Sequence, residues 1–381
     1  MDNKIYWIWL SLAATPGSTL PRKLSEYFNG DIKAIYEADA AEYKKAKATP
    51  KNISALSDKS LKLAEDIINW CTAKRVKILT YGDEVYPARL KSITDWPPVL
   101  YYIGELYDID CELCVSAVGT RNMTRYGQDT TYSFCYDLAK NGAIVVSGLA
   151  AGIDTTSHRA ALDAGGKTVA VIGTRIDKVY PAENRDIMRE IARKGLLLTE
   201  YHPFSKTQPS NFPKRNRIIS ALSEATIVFE ADAKSGSLIT ADLARKQNRA
   251  VYALPGKIGE RGSVGTNELI REGSKIVTRA KDILTDFKER YDLRIEDERL
   301  FDYSPKKHND DSFGKKQNEE IIPITNELEK QIYEQLSVDS PLHAEQIIIP
   351  GYDYGDIATA LTMLELSGYV TAHPGNTYTK K

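Results

Sequence analysis

Cysteine is scarce in this chain: four residues in 381, too few to brace a protein of this length with disulfides. That excludes a disulfide-stapled secreted scaffold and points to a reducing compartment. Cys111 and Cys114 form a CxxC, but one pair without a second pair or a nearby His cannot complete a tetrahedral zinc site. Cys114 also opens the apolar run CVSAV and reads as a buried strand cysteine. No metal or cofactor is expected. Long apolar runs are missing as well, since none approaches the ~18 residues of a membrane span. The run 5–14 follows a single cation, Lys4, holds two tryptophans and leads into another amphipathic helix. It does not read as a secretory signal. The expectation is a cytoplasmic protein with no membrane contact.

An excess of either charge is absent too. Lys and Arg number 51 against 52 Asp and Glu, a formal net charge of −1. A nucleic-acid binder with that balance must gather its cations into a local patch, because its overall field will not steer DNA. Several catalytic and nucleotide signatures are also lacking. No GxGxxG with an acid ~20 residues later occurs, and no GxxxxGK[ST]. Gly165-Gly166-Lys167-Thr168 imitates the tail of the latter, but it precedes a strand rather than a helix. There is no GxSxG elbow and no paired acid–base constellation. His158 could face a site as a base or a polar cap, and Asp154 reads as the N-cap of the same helix. The chain reads as built to bind rather than to react, and no catalytic residue is assigned.

What is present begins with 42% hydrophobic and 27% charged residues, the balance of a globular protein long enough for two or three domains. Residues 1–73 read as short helices at 6–13, 21–28, 32–37 and 58–74, a small all-helical domain. From 74 to about 290, short Val- and Ile-rich runs alternate with helical stretches. Candidate strands lie at 76–81, 114–118, 143–147, 168–172, 196–199, 226–229 and 250–254. This pattern predicts an α/β, Rossmann-like parallel sheet covered by helices on both faces. A polar, aperiodic stretch at 291–322 reads as a linker. Residues 323–381 offer helices at 326–336, near 343–348 and at 354–366, then a hairpin, which together make a winged helix.

In a doubly wound sheet, ligands bind outside the carboxyl ends of the strands. Those ends carry Gly119-Thr120-Arg121, the turn from Gly148 to Gly152, Gly173-Thr174-Arg175, and Glu230 with Ser235-Gly236-Ser237. The fifth carries a stretch from 206 to 217 with no acid, ending in Lys214, Arg215, Asn216 and Arg217. Any one of these turns could be a plain βα connection. Five on one edge, with small residues, backbone N–H groups and cations, predict a site for phosphate groups.

Taken together, VGTRNMTRYG (118–127), SGLAAGIDTTSH (147–158), GKTVAVIGTRIDKVYPAENR (166–185), LLLTEY (196–201), FPKRNRIISALS (212–223) and EADAKSGSLITADLA (230–244) resemble the DprA/Smf family. PG (255–256), SVGTNELIREGS (263–274) and the approach YPARLKSITDWPPVLYYIGEL (86–106) extend the likeness. It covers about 80–280; the flanking domains are similar in layout, the first to a SAM or helix-hairpin-like domain. The resemblance implies a single-stranded DNA-binding protein, homodimeric through its Rossmann-like domain. Such a protein protects incoming strands and loads RecA onto them during natural transformation, without covalent chemistry. It carries the DNA pocket to Gly119, Thr120 and Arg121, to Lys214, Arg215, Asn216 and Arg217, and to Ser235, Gly236 and Ser237. Gly148 and Arg175 join from their strand ends. Arg175 stands where the family commonly has a second glycine, and it either adds a cation or closes part of the pocket. Tyr126, Tyr180, Phe204 and Phe212 could stack bases or pack internally.

The winged helix reads differently. Residues 321–381 hold eight acids and three lysines, a net of −5, and the third helix carries Asp353, Asp356 and Glu365 without a cation. That opposes duplex binding and favours a protein contact or autoregulation. The rival function is a nucleoside-monophosphate phosphoribohydrolase-like enzyme using the same phosphate cradle. Gly265-Thr266-Asn267-Glu268 echoes that family's PGGxGTxxE but lacks the preceding PGG.

Overall fold

A computed structural model describes residues 3–293, 324, 326–338 and 340–380. The chain divides into two compact units, Met1–Glu296 and Asp297–Lys381. The linker expected at 291–322 falls, from 294 onward, outside the described residues.

The first unit opens with six helices: α1 (Lys4–Ala13), α2 (Leu20–Tyr27), α3 (Ile32–Glu37), α4 (Ala40–Lys45), α5 (Pro50–Ser57) and α6 (Lys62–Ala73). Side-chain caps start the short ones. Asp31 accepts from two amides of α3, and Asp39 with Glu42 makes a capping box on α4. The sequence pattern did not reveal α4 and α5, because each buries a single large side chain, Tyr43 and Leu56. These helices pack onto the α/β part of the same unit: the Trp7 ring lies 5.4 Å from Tyr81 and 6.2 Å from Trp96.

The α/β part runs β1 (Lys77–Thr80), α7 (Ala88–Lys91), β2 (Val99–Gly104), β3 (Cys114–Val118), α8 (Arg125–Lys140), β4 (Ile144–Ser147), α9 (Ile153–Asp163), β5 (Thr168–Val171), α10 (Arg185–Lys194) and β6 (Leu196–Thr199). It continues through α11 (Asn211–Leu222), β7 (Ala225–Val228), α12 (Gly236–Lys246), β8 (Ala250–Ala253), α13 (Val264–Arg271), β9 (Lys275–Ile276) and α14 (Ala280–Phe287). These strands form one sheet in the order β1-β2-β6-β5-β4-β3-β7-β8-β9. From β6 to β9 every pairing is parallel. The expected all-parallel sheet is therefore mostly parallel, because β2 pairs antiparallel with both β1 and β6. The strands β3 to β7 are buried throughout, as a sheet with helices on both faces requires. Side chains alternate between those faces: Val115 and Ala117 join the core under α8, α9 and α14. Ser116, on the opposite face, donates to the Ile219 carbonyl of α11 at 3.0 Å.

In the second unit, α15 (Glu327–Gln335), β10 (Leu342–His343), α16 (Tyr354–Leu366), β11 (Val370–His373) and β12 (Thr377–Lys380) form a winged helix. Its small sheet runs β10-β12-β11. The middle helix of the expected three is a single 3-10 turn, Ala344–Gln346. Among the described residues no helix is long and apolar enough to cross a membrane.

Candidate nucleic-acid interface

Chain order reverses between β3 and β7: successive strands run outward from β3 to β6 on one side and from β7 to β9 on the other. Such a switch point opens a crevice at the carboxyl edge. Here the crevice is drawn tight. The Thr120 amide donates to the Glu230 carbonyl at 2.8 Å. Gly119 has no room for a side chain, since a Cβ would lie 2.5 Å from Ile153 Cγ1. Gly152, at φ 81°, lets its turn pass against the Thr120 carbonyl, 2.5 Å from where a Cβ would stand.

Arg121 stands exposed beyond this contact, with its guanidinium carbon 5.8 Å from the centre of the Phe212 ring. Phe212 lies in the first turn of α11, against bare Gly173 on the next loop, where a Cβ would touch its ring at 2.8 Å. Tyr180, 45% exposed, packs 5.1 Å from the same ring. Lys214, two residues along α11, is exposed. Neither Arg121 nor Lys214 takes part in an ion pair among the described residues. The structure thus brings Arg121, Tyr180 and Phe212 into one rim, and Lys214 stands farther along α11, with its Cγ 4.0 Å from where a Cβ on Gly17 would stand. Of the other aromatics, Phe204 is exposed, and Tyr126 donates its hydroxyl to the Pro255 carbonyl at 2.9 Å.

Two cations of the expected pocket are placed elsewhere. Arg215 is buried, and its Nη1 donates to the carbonyls of Gly148 (2.6 Å) and Val171. Burial lowers its pKa to about 10, with Asp154 pulling the other way and Arg121 adding like-charge repulsion. Arg217 is buried in a bidentate pair with Glu200, at 2.8 and 2.7 Å, and its Nε donates to the Asp95 carbonyl at 3.0 Å. Burial alone would lower its pKa, but Glu200 and Asp95 outweigh it and hold the guanidinium charged. Both arginines are internal struts rather than free phosphate ligands. Arg175 pairs with Asp177 of its own loop at 2.9 Å and donates to the Pro203 carbonyl, on the loop after β6, at 3.1 Å. Asn216 accepts from Arg215 Nε at 3.2 Å.

The small-residue turns differ in availability. Ser235 caps α12, accepting from the Ser237 amide, and its hydroxyl lies 2.8 Å from that of Ser237. Gly236 faces open space, with nothing within 4 Å of where a Cβ would stand. The Gly148 amide is already engaged: it donates to Asp154 Oδ2 at 3.1 Å, as does that of Ala150 at 3.3 Å. Asp154 is therefore not the N-cap of α9, which is Gly152. It reaches back to close the preceding turn. Burial raises its pKa against the opposing pull of Arg215. His158 is no base facing the site: it is fully buried, its Nδ1 lies 2.8 Å from Thr168 Oγ1, and burial lowers its pKa to about 3. Glu200 and Glu230, which the residue pattern did not single out as structural acids, stand one residue past β6 and two past β7.

Comparison with known proteins agrees with this architecture. Residues 77–288 match the family model of DNA recombination-mediator protein A, and 317–376 match the DprA winged helix domain. The chain is 34% identical over 322 residues to protein Smf of Synechocystis, covering 81% of each. It resembles the solved structure of DNA processing protein A from Streptococcus pneumoniae, with TM-score 0.65, 32% identity, and 78% and 99% of the two chains covered. It also resembles DNA processing protein A from Helicobacter pylori, studied for its single-stranded DNA binding mode. There the TM-score is 0.52 and the identity 33%, covering 57% and 97%.

Proposed function

This chain belongs to the DNA recombination-mediator protein A family, and from that premise we propose that it binds the backbone of single-stranded DNA at the Arg121–Lys214 rim. Its task is then to protect incoming strands in the cytoplasm and hand them to RecA, as a homodimer joined through the sheet domain and without covalent chemistry. The observation that carries the binding reading is the rim itself. Exposed Arg121 stands against a pair of aromatic rings, one of them 45% exposed, and exposed Lys214 follows two residues after Phe212 on α11. Cations suit backbone phosphates and rings suit unpaired bases, and neither reads sequence. Ser235, Gly236 and Ser237, at the N-terminus of α12, extend the same edge with backbone amides.

The test is fluorescence anisotropy of a labelled strand of about 30 nucleotides across a salt series, beside a duplex competitor. Wild type should prefer the single strand with a steep salt slope. Arg121→Ala and Lys214→Ala should each flatten that slope by roughly 0.7. Wild-type slopes in both variants would move DNA away from the rim. Absence of any strand binding, with release of free base from a mononucleotide, would establish the phosphoribohydrolase-like alternative.

A further inference from the structure

Two anion-binding positions on this sheet edge are already filled by the protein's own carboxylates. The turn from Gly148 to Gly152 has left-handed backbone at Leu149 (φ 56°) and Gly152 (φ 81°). It aims the amides of Gly148 and Ala150 at one point, and Asp154 Oδ2 occupies that point. A Cβ on Gly148 would lie 2.6 Å from Arg215 Nη2 and 2.7 Å from Asp154 Oδ2, so amides, guanidinium and carboxylate share one closed space. Successive amides of this kind with a guanidinium make a nest that suits a phosphate. The second position is the N-terminus of α8, over the β3–β7 crevice. There the Thr124 amide donates to Glu230 Oε2 at 2.8 Å, and the Thr124 hydroxyl donates to Oε1. Gly127 leaves the room, because a Cβ on it would stand 2.2 Å from Glu230 Oε2. Asp154 is 8% exposed and Glu230 3%.

We propose that Asp154 and Glu230 are specificity-determining plugs, permanent internal anions seated where a doubly wound sheet would otherwise hold the phosphate of a free nucleotide. A phosphomonoester needs a concentrated set of donors at a helix start, and the plugs remove both sets. What remains is the outer rim with the α12 start, where each singly charged phosphodiester makes a shallow contact and only a polymer gathers enough of them. The plugs thus select strand over mononucleotide. This account of what they leave available rests on the strand-binding reading of the rim.

The experiment is thermal melting of the full chain with orthophosphate from 0 to about 50 mM, ionic strength being held constant with chloride. It compares wild type, Asp154→Gly and Glu230→Ala with the shape-preserving Asp154→Asn and Glu230→Gln. Phosphate stabilises proteins generally through exclusion from their surface, so the reading is each variant's difference from wild type. The two gap variants should gain a saturable rise of about 5 °C in Tm beyond wild type. The amide variants should follow wild type. A gap variant that folds only with phosphate also supports the proposal. Gap variants that track wild type, or that stay unfolded with and without phosphate, overturn it. So does a saturable phosphate response in wild type itself. None of these outcomes depends on DNA, so a failure of strand binding at the rim is separately visible.

Discussion

Replacing Arg217 with Ala should damage the fold and spare the DNA contact, the opposite of what its place in a basic run suggests. Arg217 is 3% exposed and its partner Glu200 4%, with both oxygens of the carboxylate engaged at 2.8 and 2.7 Å. The same guanidinium holds the Asp95 carbonyl at 3.0 Å and the Asp95 carboxylate at 3.3 Å. It therefore ties α11 to the end of β6 and to the loop before β2. Beside it lies a cavity of only about 20 Å³, bounded by Gly17, Trp96, Glu200 and Arg217, which is room for one water and not for a phosphate. Truncation strands the Glu200 carboxylate without its cation, a change that costs about 3–5 kcal/mol in buried pairs. At roughly 2 °C per kcal/mol for a unit this large, Tm should fall by about 6–10 °C. Differential scanning calorimetry measures that fall, and anisotropy at a temperature where the variant is folded measures its salt slope. Arg121→Ala should show the mirror image: Tm within about 1 °C of wild type, because surface substitutions cost little, and a slope flatter by roughly 0.7. An Arg217→Ala chain that melts like wild type and loses slope would refute this division of labour.

Three further outcomes are expected from the same geometry. Phe212→Leu and Tyr180→Leu should each weaken single-strand binding by about 1–3 kcal/mol without changing the salt slope, because stacking carries no counterions; titrations at two salt concentrations check it. His158 has its pKa lowered from 6.5 to about 3 by burial, so the unfolded chain binds its proton first. Stability from this group is whole above pH 6.5 and is lost as pH falls toward 3. Urea melts should then show His158→Gln gaining on wild type by about 1.4 kcal/mol per pH unit below 6.5, and not above it. Ending the chain at residue 296 removes, with the stretch before it, the 321–381 region of eight acids and three lysines; strand affinity should change by less than about twofold, and a large loss would show that the removed part touches DNA.

Most of the fold was legible because burial writes itself into short apolar runs. The six runs assigned as strands between 114 and 254 all correspond to parallel strands, each buried on both faces except at the β8 start. The first assigned run, 76–81, became an antiparallel edge strand. Its partner β2 was missed: Val99–Gly104 directly follows two prolines, and its apolar run shows no alternation to mark a strand with one half-exposed end. Strand β9 has two residues, both exposed, and offers no hydrophobic signal at all. The turns at the strand ends were equally legible, because glycine marks the close approaches at 119, 152 and 173. What each cation does was not. Lys214, Arg215 and Arg217 stand within four positions of one helix, yet only Lys214 faces outward. The partners that decide this lie far along the chain: Gly148 is 67 positions from Arg215, and Asp95 is 122 from Arg217.

Depth along α11 explains why an acid-free basic stretch divides this way. From Arg215 to Leu222 the helix is buried at every position but Asn216, so both guanidinium groups are driven inward, where they must find acceptors. Lys214 stands one residue earlier, beside exposed Pro213, and stays in water. Burial inward also needs acids to receive the charge, and the carboxylates that follow β6 and the turn before α9 supply them through Glu200 and Asp154. The net positive field of the edge is consequently much weaker than its count of cations. A site that keeps only its outermost charges holds any single phosphate weakly and can release it readily. That suits the long ligand of arbitrary sequence proposed for this edge.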